Sequence, residues 1–444
     1  MRTKTFRIGG IHPPEHKDAS LKIEWPELPR RVVLPLSQHI GAPARPTVAK
    51  GEHVERCGLV AECPSFVSAS IHTPISGTVK TIEALPMAGG MPQPCIVIEA
   101  SEEDHAADTE ARKALREALD KGTAGDRAIA EKLTAEELRT AIRDAGIVGL
   151  GGAAFPSHVK YSLKPDALPE VLIINACECE PYLRCDDALM NAYPAHIISG
   201  VELLKKAIGA PRAVIGIEEN KPAAIAALGA ALEGHEGIEI AVLKTKYPQG
   251  GEKQLIEAVT GRRVASGALP ISVGAVVANV ATAFAVRQAC VAHVPLTERV
   301  ITLTGEGIPA EERRNMMVAI GMPLGELPGV PEGDVKVTGG GPMMGRTAVD
   351  LRGPVVKGTS GLTVLPPNPR PASGPCLRCA ACVEACPMGL EPYLLSRYGM
   401  LRMWDEARTL DVADCLECGA CSYTCPSGRP LLDYIRLAKQ RSRK

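Results

Sequence analysis

The chain has 444 residues, room for about three domains, each with its own core. Its 50 Lys+Arg against 51 Asp+Glu give no basic excess for nucleic acid, and 3% aromatic residues are poor material for stacking bases. Fifteen cysteines would suit an oxidised secreted chain. However, the start "MRTKTFRIGG" has no apolar signal segment and eight of the fifteen fall in two boxes, so a reducing, cytoplasmic compartment is expected.

Residues 30–100 are short Val/Ile-rich runs punctuated by Gly and Pro, such as "VAKGEHVERCG" and "IHTPISGTVKTIE". That spacing predicts a small β-barrel or sandwich. An acidic stretch, "ASEEDHAADTEARK", leads into helical sequence, where "TAEELRTAIRDAG" places Thr134 and Glu137 as a capping box and Gly146 at the stop. From 147 to about 290, apolar runs at 171–176, 213–219 and 238–245 alternate with Ala/Leu-rich helical stretches. This is α/β layering, with a largely parallel sheet expected.

Within that region "GIVGLGGAAFPSHVK" places Gly149, Gly151 and Gly152 on one turn, with Lys160 behind them. Glycines let backbone amides close on an anion, and a lysine adds charge to the same phosphate. The same glycines could equally serve helix–sheet packing. In "NACECEPYLRCDD", Asn175, Glu178 and Glu180 follow a strand, at the usual ligand edge of an α/β sheet. Cys177, Cys179 and Cys185 lie close by, with spacing too irregular for a metal site. "YPQGGEKQLIEAVTG" then opens a helix at Gly250 and Gly251, a further place for phosphate or a carbonyl-rich ring. Residues 264–286 carry no charge over a length that could span a bilayer, but Ser, Gly, Pro, Asn and Thr interrupt them, so a buried loop and helix is expected.

Residues 297–365 return to β character, and "PPNPRPASGP" (366–375) reads as an extended linker. "CLRCAACVEACP" (376–387) and "CLECGACSYTCP" (415–426) repeat the frame C-x2-C-x2-C-x3-C-P. Three thiolates on one tight turn reach three corners of a cubane cluster, and the cysteine before Pro leaves toward the other cluster. The expected ligand sets are Cys376, Cys379, Cys382 and Cys425 for one [4Fe-4S] cluster, and Cys415, Cys418, Cys421 and Cys386 for the second. Zinc, which favours two separated C-x2-C knuckles, fits this run less well.

Taken together, "GGIHPPEHK", "GLGGAAFPSHVK", "NACECEPY", "TKYPQGGEKQL", "VANVATAFAV" and the two boxes resemble the RnfC family of the Rnf electron transport complex, over essentially the whole chain. The central region is also similar to the flavin-carrying, NADH-oxidising subunit of respiratory complex I. The resemblance implies FMN at Gly149, Gly151, Gly152, Lys160, Asn175, Glu178, Glu180, Tyr247 and Asn279. It also implies NAD(H) above the flavin, with Phe155 against the nicotinamide nucleotide and Gly250 and Glu252 in the adjoining turn. Two positions depart from the complex I pattern: its Gly-Glu-Glu is Gly250-Gly251-Glu252 here, and its Asn-Asn pair is Ala278-Asn279.

The implied architecture is a barrel-sandwich β module (1–105), an FMN/NAD(H)-binding α/β domain (106–296), a β-grasp, SLBB-like module (297–365) and a two-cluster ferredoxin-like helical domain with a basic tail (366–444). The implied function is that of a peripheral electron-transfer subunit on the cytoplasmic face of the bacterial inner membrane. Its partners would be the other subunits of a membrane-embedded, ion-translocating ferredoxin:NAD+ oxidoreductase, with ferredoxin reached only indirectly. A cobalamin reductase of the propanediol-utilisation type is the nearest enzyme alternative, and "GGIHPPE" ahead of the flavin domain argues against it. A non-catalytic cluster-bearing scaffold is the alternative of a different class.

Further features carry expectations of their own. "HPPE" at 12–15 reads as a rigid surface turn. Cys57, Cys63, Cys95 and Cys290 are expected as buried thiols, and Met316, Met317, Met343 and Met344 as core filling. The tail with Arg436, Lys439, Arg441, Arg443 and Lys444 reads as a solvated helix end, or as a contact for an anionic surface.

Overall fold

The computed structural model describes residues 3–164, 167–331, 333, 335–367 and 372–442. Part of the expected linker (368–371) and Arg443 and Lys444 of the tail lie outside the described residues.

Two small antiparallel sheets face each other in the first module. One orders Arg31–Pro35, Pro92–Glu99, Gly77–Pro86 and His53–Val54, and the other orders Arg45–Pro46, Leu59–Glu62 and Ile71–His72. The alternation predicted from the Val/Ile runs supplies the core between them, where Val32, Leu34, Val60, Val79, Ile96 and Ile98 are fully buried. Residues 3–17 run outside these sheets. They follow the central domain, bridging Lys4 to Leu243 and Ile11 to Tyr247.

The central sheet is wholly parallel, in the order Ile238–Leu243, Ala213–Glu218, Val171–Ala176, Ala275–Asn279. Three strands step outward in sequence and the fourth returns to the other side of the first. The order therefore reverses between Val171–Ala176 and Ala275–Asn279, and a crevice opens there beyond the carboxyl ends of the strands. Asn175 and Asn279 are direct register partners at that edge. The Ala135–Asp144 helix carries both hydrogen bonds of the predicted capping box, and Gly146 follows it at φ +65°. The uncharged stretch 264–286 resolves into a loop, the Pro270–Val273 turn, the Ala275–Asn279 strand and part of the buried Val280–Cys290 helix. Among the described residues no helix is long and apolar enough to cross a membrane.

In the third module Arg314–Ala319, Glu298–Thr304, Gly361–Leu365 and Lys336–Gly339 form a mixed sheet whose two central strands run parallel, the order of a β-grasp. Ile23–Glu24 adds to the edge of this sheet, an addition the sequence did not suggest. Three modules meet on a buried ion cluster: Glu298 accepts from Arg112 at 2.6 Å and from Arg56 at 3.1 Å, and Arg112 also donates to the Met317 carbonyl.

Helices Pro392–Leu401, Trp404–Thr409 and Leu431–Arg441 enclose the two cysteine boxes. The boxes repeat in conformation as well as sequence. Arg378 and Glu417, and then Ala380 and Gly419, all take left-handed backbone on either side of each second cysteine.

Three expectations need correction. Cys95 and Cys290 are buried, but Cys57 and Cys63 are only partly so, because they lie in the loops on either side of the Leu59–Glu62 strand. Met316 and Met317 fill the core, whereas Met344 is 46% exposed and Met343 packs beside Tyr247 and Cys418. The tail is neither free nor merely solvated. Arg436 and Lys439 pair with Glu417, and Lys439 donates to the Cys415 carbonyl at 2.6 Å.

Candidate functional site

The glycine turn forms because Gly149 and Phe155 close a short loop, the Gly149 amide donating to the Phe155 carbonyl at 2.8 Å. Its outer part is exposed, and a Cβ at Gly152 would meet nothing within 4 Å. Gly152 also sits at φ +107°, which a side chain would strain. Gly151 lies against Asn279, its Cβ position 3.4 Å from the asparagine Cβ. The turn thus covers the crevice with bare backbone, a cradle into which an anion or flat ring can approach.

Three buried contacts fix the turn from beneath. The Leu150 amide donates to Thr282 Oγ1 at 2.9 Å, Arg299 donates to the Leu150 carbonyl at 3.3 Å, and Lys357 Nζ donates to the Gly146 carbonyl at 2.6 Å. Burial draws the Lys357 ammonium down to about 7. None of the three residues was singled out in the sequence, since each lies far along the chain from the turn it supports.

Around this cradle Asn175 donates to the Gly250 carbonyl at 2.9 Å, and the Gly250 amide donates to Cys179 Sγ at 3.3 Å. Lys160 Nζ meets Glu252 Oε1 at 2.5 Å, a partly exposed pair across the opening. Asn279 caps the Val280–Cys290 helix through the Ala281 amide and donates to Asp186 at 2.8 Å. Phe155 is partly buried at the end of the turn. Gly149, Gly151, Gly152, Lys160, Asn175, Gly250, Glu252 and Asn279 are therefore gathered at one crevice.

Glu178, Glu180 and Tyr247 are engaged elsewhere. The Glu178 carboxylate accepts from the Asp186 and Asp187 amides, at the start of the Cys185–Ala192 helix. Glu180 accepts from the Met343 and Met344 amides of the β-grasp module, and burial pushes its carboxyl up to about 7 against those two donors. Asp186, which the sequence pattern did not mark, is raised to about 7 by burial and by the Glu178 charge. The Tyr247 side chain, 2% exposed, donates to the Cys418 carbonyl at 2.7 Å.

That last contact joins the crevice to the cysteine boxes. Gln254, in the helix opened by Gly251, donates to the Pro387 carbonyl at 3.1 Å, and the Gly10 amide donates to the Ala385 carbonyl at 3.0 Å. Gly9 packs so closely on Cys386 that a Cβ would run into its carbonyl. Cys386, Cys415, Cys418 and Cys421 line one cavity with apolar neighbours including Leu390, Leu395, Leu432 and Ile435. Burial, and then the neighbouring thiols of Cys415 and Cys386, push Cys418 and Cys421 up to about 12. Cys382 is instead in Coulombic reach of Cys425 and Cys376. Four soft donors around one apolar cavity suit a thiolate-bound cluster, and the bare glycine cradle beside Lys160 suits a phosphorylated flavin.

Comparison with known proteins agrees with this division. Residues 4–103 match a family described as the RnfC barrel sandwich hybrid domain, 142–288 the Nuo51 FMN-binding domain, and 375–429 a 4Fe-4S dicluster domain. Two solved states of an NAD+-reducing [NiFe]-hydrogenase share the fold at TM-scores of 0.51 (air-oxidised) and 0.50 (H2-reduced), with 20% identity. Each alignment covers 71% of this chain, and 68% and 64% of the respective hydrogenase chains. A subunit of the proton-translocating ferredoxin:NAD(+) oxidoreductase complex of Clostridium ljungdahlii is 41% identical, covering 99% of this chain and 94% of that protein. The corresponding subunit of the Na(+)-translocating ferredoxin:NAD(+) oxidoreductase complex of Acetobacterium woodii is 39% identical, covering 98% and 96%. The chain belongs to the RnfC family, a subunit of the Rnf ion-translocating ferredoxin:NAD+ oxidoreductase complexes.

Proposed function

We propose that this chain is the peripheral NAD(H)- and FMN-binding electron-transfer subunit of such a complex, held on the cytoplasmic face of the membrane by its partner subunits. The observation that carries the reading is the Tyr247–Cys418 hydrogen bond, by which the flavin crevice and one cysteine cavity share a wall. A bound flavin exchanges hydride with nicotinamide and passes electrons singly to clusters, which no side chain of the crevice can do.

The residues divide the work. Gly149, Gly151, Gly152, Lys160 and Asn279 would hold the phosphate end. Asn175, Glu178, Glu180 and Gly250 would border the ring, and Tyr247 would lie between the ring and the first cluster. Phe155 and Glu252 would meet the nicotinamide nucleotide. Cys386, Cys415, Cys418 and Cys421 form the crevice-side ligand set, walled by apolar side chains that keep water out. The other set is Cys376, Cys379, Cys382 and Cys425. Cys376 and Cys379 are exposed, which suits an exit to a partner's redox centre.

Anaerobically prepared protein is expected to carry about eight iron atoms and one non-covalent FMN, and to oxidise NADH with an artificial acceptor. Zinc in place of iron, or covalent flavin, would overturn that stoichiometry, and a chain with iron but neither flavin nor NADH oxidation would favour the scaffold alternative. Because docking on polar surfaces is screened by salt, washing membranes with high salt or alkali should release the chain. Retention until detergent is added would argue against peripheral attachment.

A further inference from the structure

We propose that Lys17 is a positioning residue of the flavin site, its ammonium holding the 178–183 loop in shape and placing a positive charge behind that wall of the crevice. The inference rests on the flavin reading above.

Lys17 Nζ donates to the Glu178 carbonyl at 2.7 Å, the Glu180 carbonyl at 2.9 Å and the Leu183 carbonyl at 2.5 Å. An ammonium has three N–H donors, and here the carbonyls of one loop take them all. Carbonyls that converge on a point require an unusual backbone. Glu178 at φ +44° and Tyr182 at φ +71° both take left-handed conformations, which residues other than glycine rarely adopt. Charge-assisted hydrogen bonds are the stronger kind, and three of them offset that strain. Without the ammonium, three inward-facing carbonyls would lie unpaired.

The loop is the wall of the crevice. Cys179 in it accepts from the Gly250 amide, the Cys177 amide donates to Asn175, and Glu178 and Glu180 lead from it to the Cys185–Ala192 helix and the β-grasp module. Lys221, 1% exposed, holds the carbonyl of Cys177 at 2.5 Å, so a second ammonium, this one buried, supports the start of the same loop. The charges facing Lys17 are Glu178, Lys221 and Glu218. Lys17 also belongs to the segment that docks at Gly9 and Gly10 on Cys386 and Ala385. One strip of chain thus ties the flavin wall to the crevice-side cluster loop. This assigns a physical role to "GGIHPPEHK", whose His12–Glu15 stretch forms no turn and whose exposed His12 shares a hydrogen bond with the Thr245 carbonyl.

The test compares full-length Lys17→Met and Lys17→Arg with wild type, measuring FMN affinity by fluorescence, flavin midpoint potential by redox titration and both cluster EPR signals. In Lys17→Met, FMN should bind at least about tenfold more weakly and the flavin potential should move to more negative values. An extra electron on the ring loses a nearby positive charge, while the cluster signals stay. Lys17→Arg, which restores the charge, should return the potential toward wild type. Unchanged affinity and potential in Lys17→Met with intact clusters would overturn the proposal. If Lys17→Met does not accumulate, Lys17→Gln keeps one amide donor and removes the charge, and an unshifted potential there overturns it equally. Wild-type protein that binds no FMN would instead sink the flavin reading itself.

Discussion

Replacing Gly152 by Val is expected to lower FMN affinity on the order of 100-fold or more, about 3 kcal/mol, while leaving both clusters in place. The open space in front of Gly152 is where the backbone must approach a phosphate, and its φ of +107° is one a β-branched residue resists. Because strain and lost space act together there, Gly151→Val separates them. Gly151 has an ordinary backbone conformation, and an added Cβ makes only a normal contact with Asn279 at 3.4 Å. Its loss of flavin would report the occupied cradle alone. The measurement is flavin content and NADH oxidation beside cluster EPR on the same preparation. Intact flavin binding and normal NADH oxidation in both variants would show that the turn serves only to pack the helix on the sheet.

Replacing Cys386 by Ser should remove or alter the cluster held by Cys415, Cys418 and Cys421, with a loss of up to about four of about eight irons. Replacing Cys425 should disturb the cluster of Cys376, Cys379 and Cys382. Sequence spacing already sent the fourth cysteine of each box across to the other. In the fold, Cys386 lines the same cavity as Cys415, Cys418 and Cys421. The comparison is EPR of reduced Cys386→Ser against Cys376→Ser and Cys415→Ser. If Cys386→Ser matches the change caused by Cys376→Ser and not that of Cys415→Ser, each box closes its own cluster. The same spectra bear on the order of transfer, since the Cys386 set adjoins Tyr247 and the other set has two exposed ligands.

Local signals in this chain were legible because local physics decides them. The capping box at Thr134 and Glu137, the Gly146 stop, the parallel strands at 171–176, 213–218 and 238–243 and the repeated cysteine turns all follow from short-range pattern. The glycine turn could be read as a place for an anion, since only glycine tolerates the conformation at 152. What sequence could not supply is which residues complete the site from a distance. Lys17, Thr282, Arg299 and Lys357 reach the two walls of the crevice from three parts of the chain, and each bonds to a backbone carbonyl or amide that leaves no side-chain pattern to pair with. The same reason explains the bond from Tyr247 to the Cys418 carbonyl, 171 residues away. By itself the sequence determined the cluster chemistry, because ligand spacing is local, and its resemblance to the RnfC family implied the flavin. Only the tertiary structure decided which cluster adjoins the flavin crevice and what holds the crevice open, because those depend on long-range contacts to main-chain atoms that every residue possesses alike.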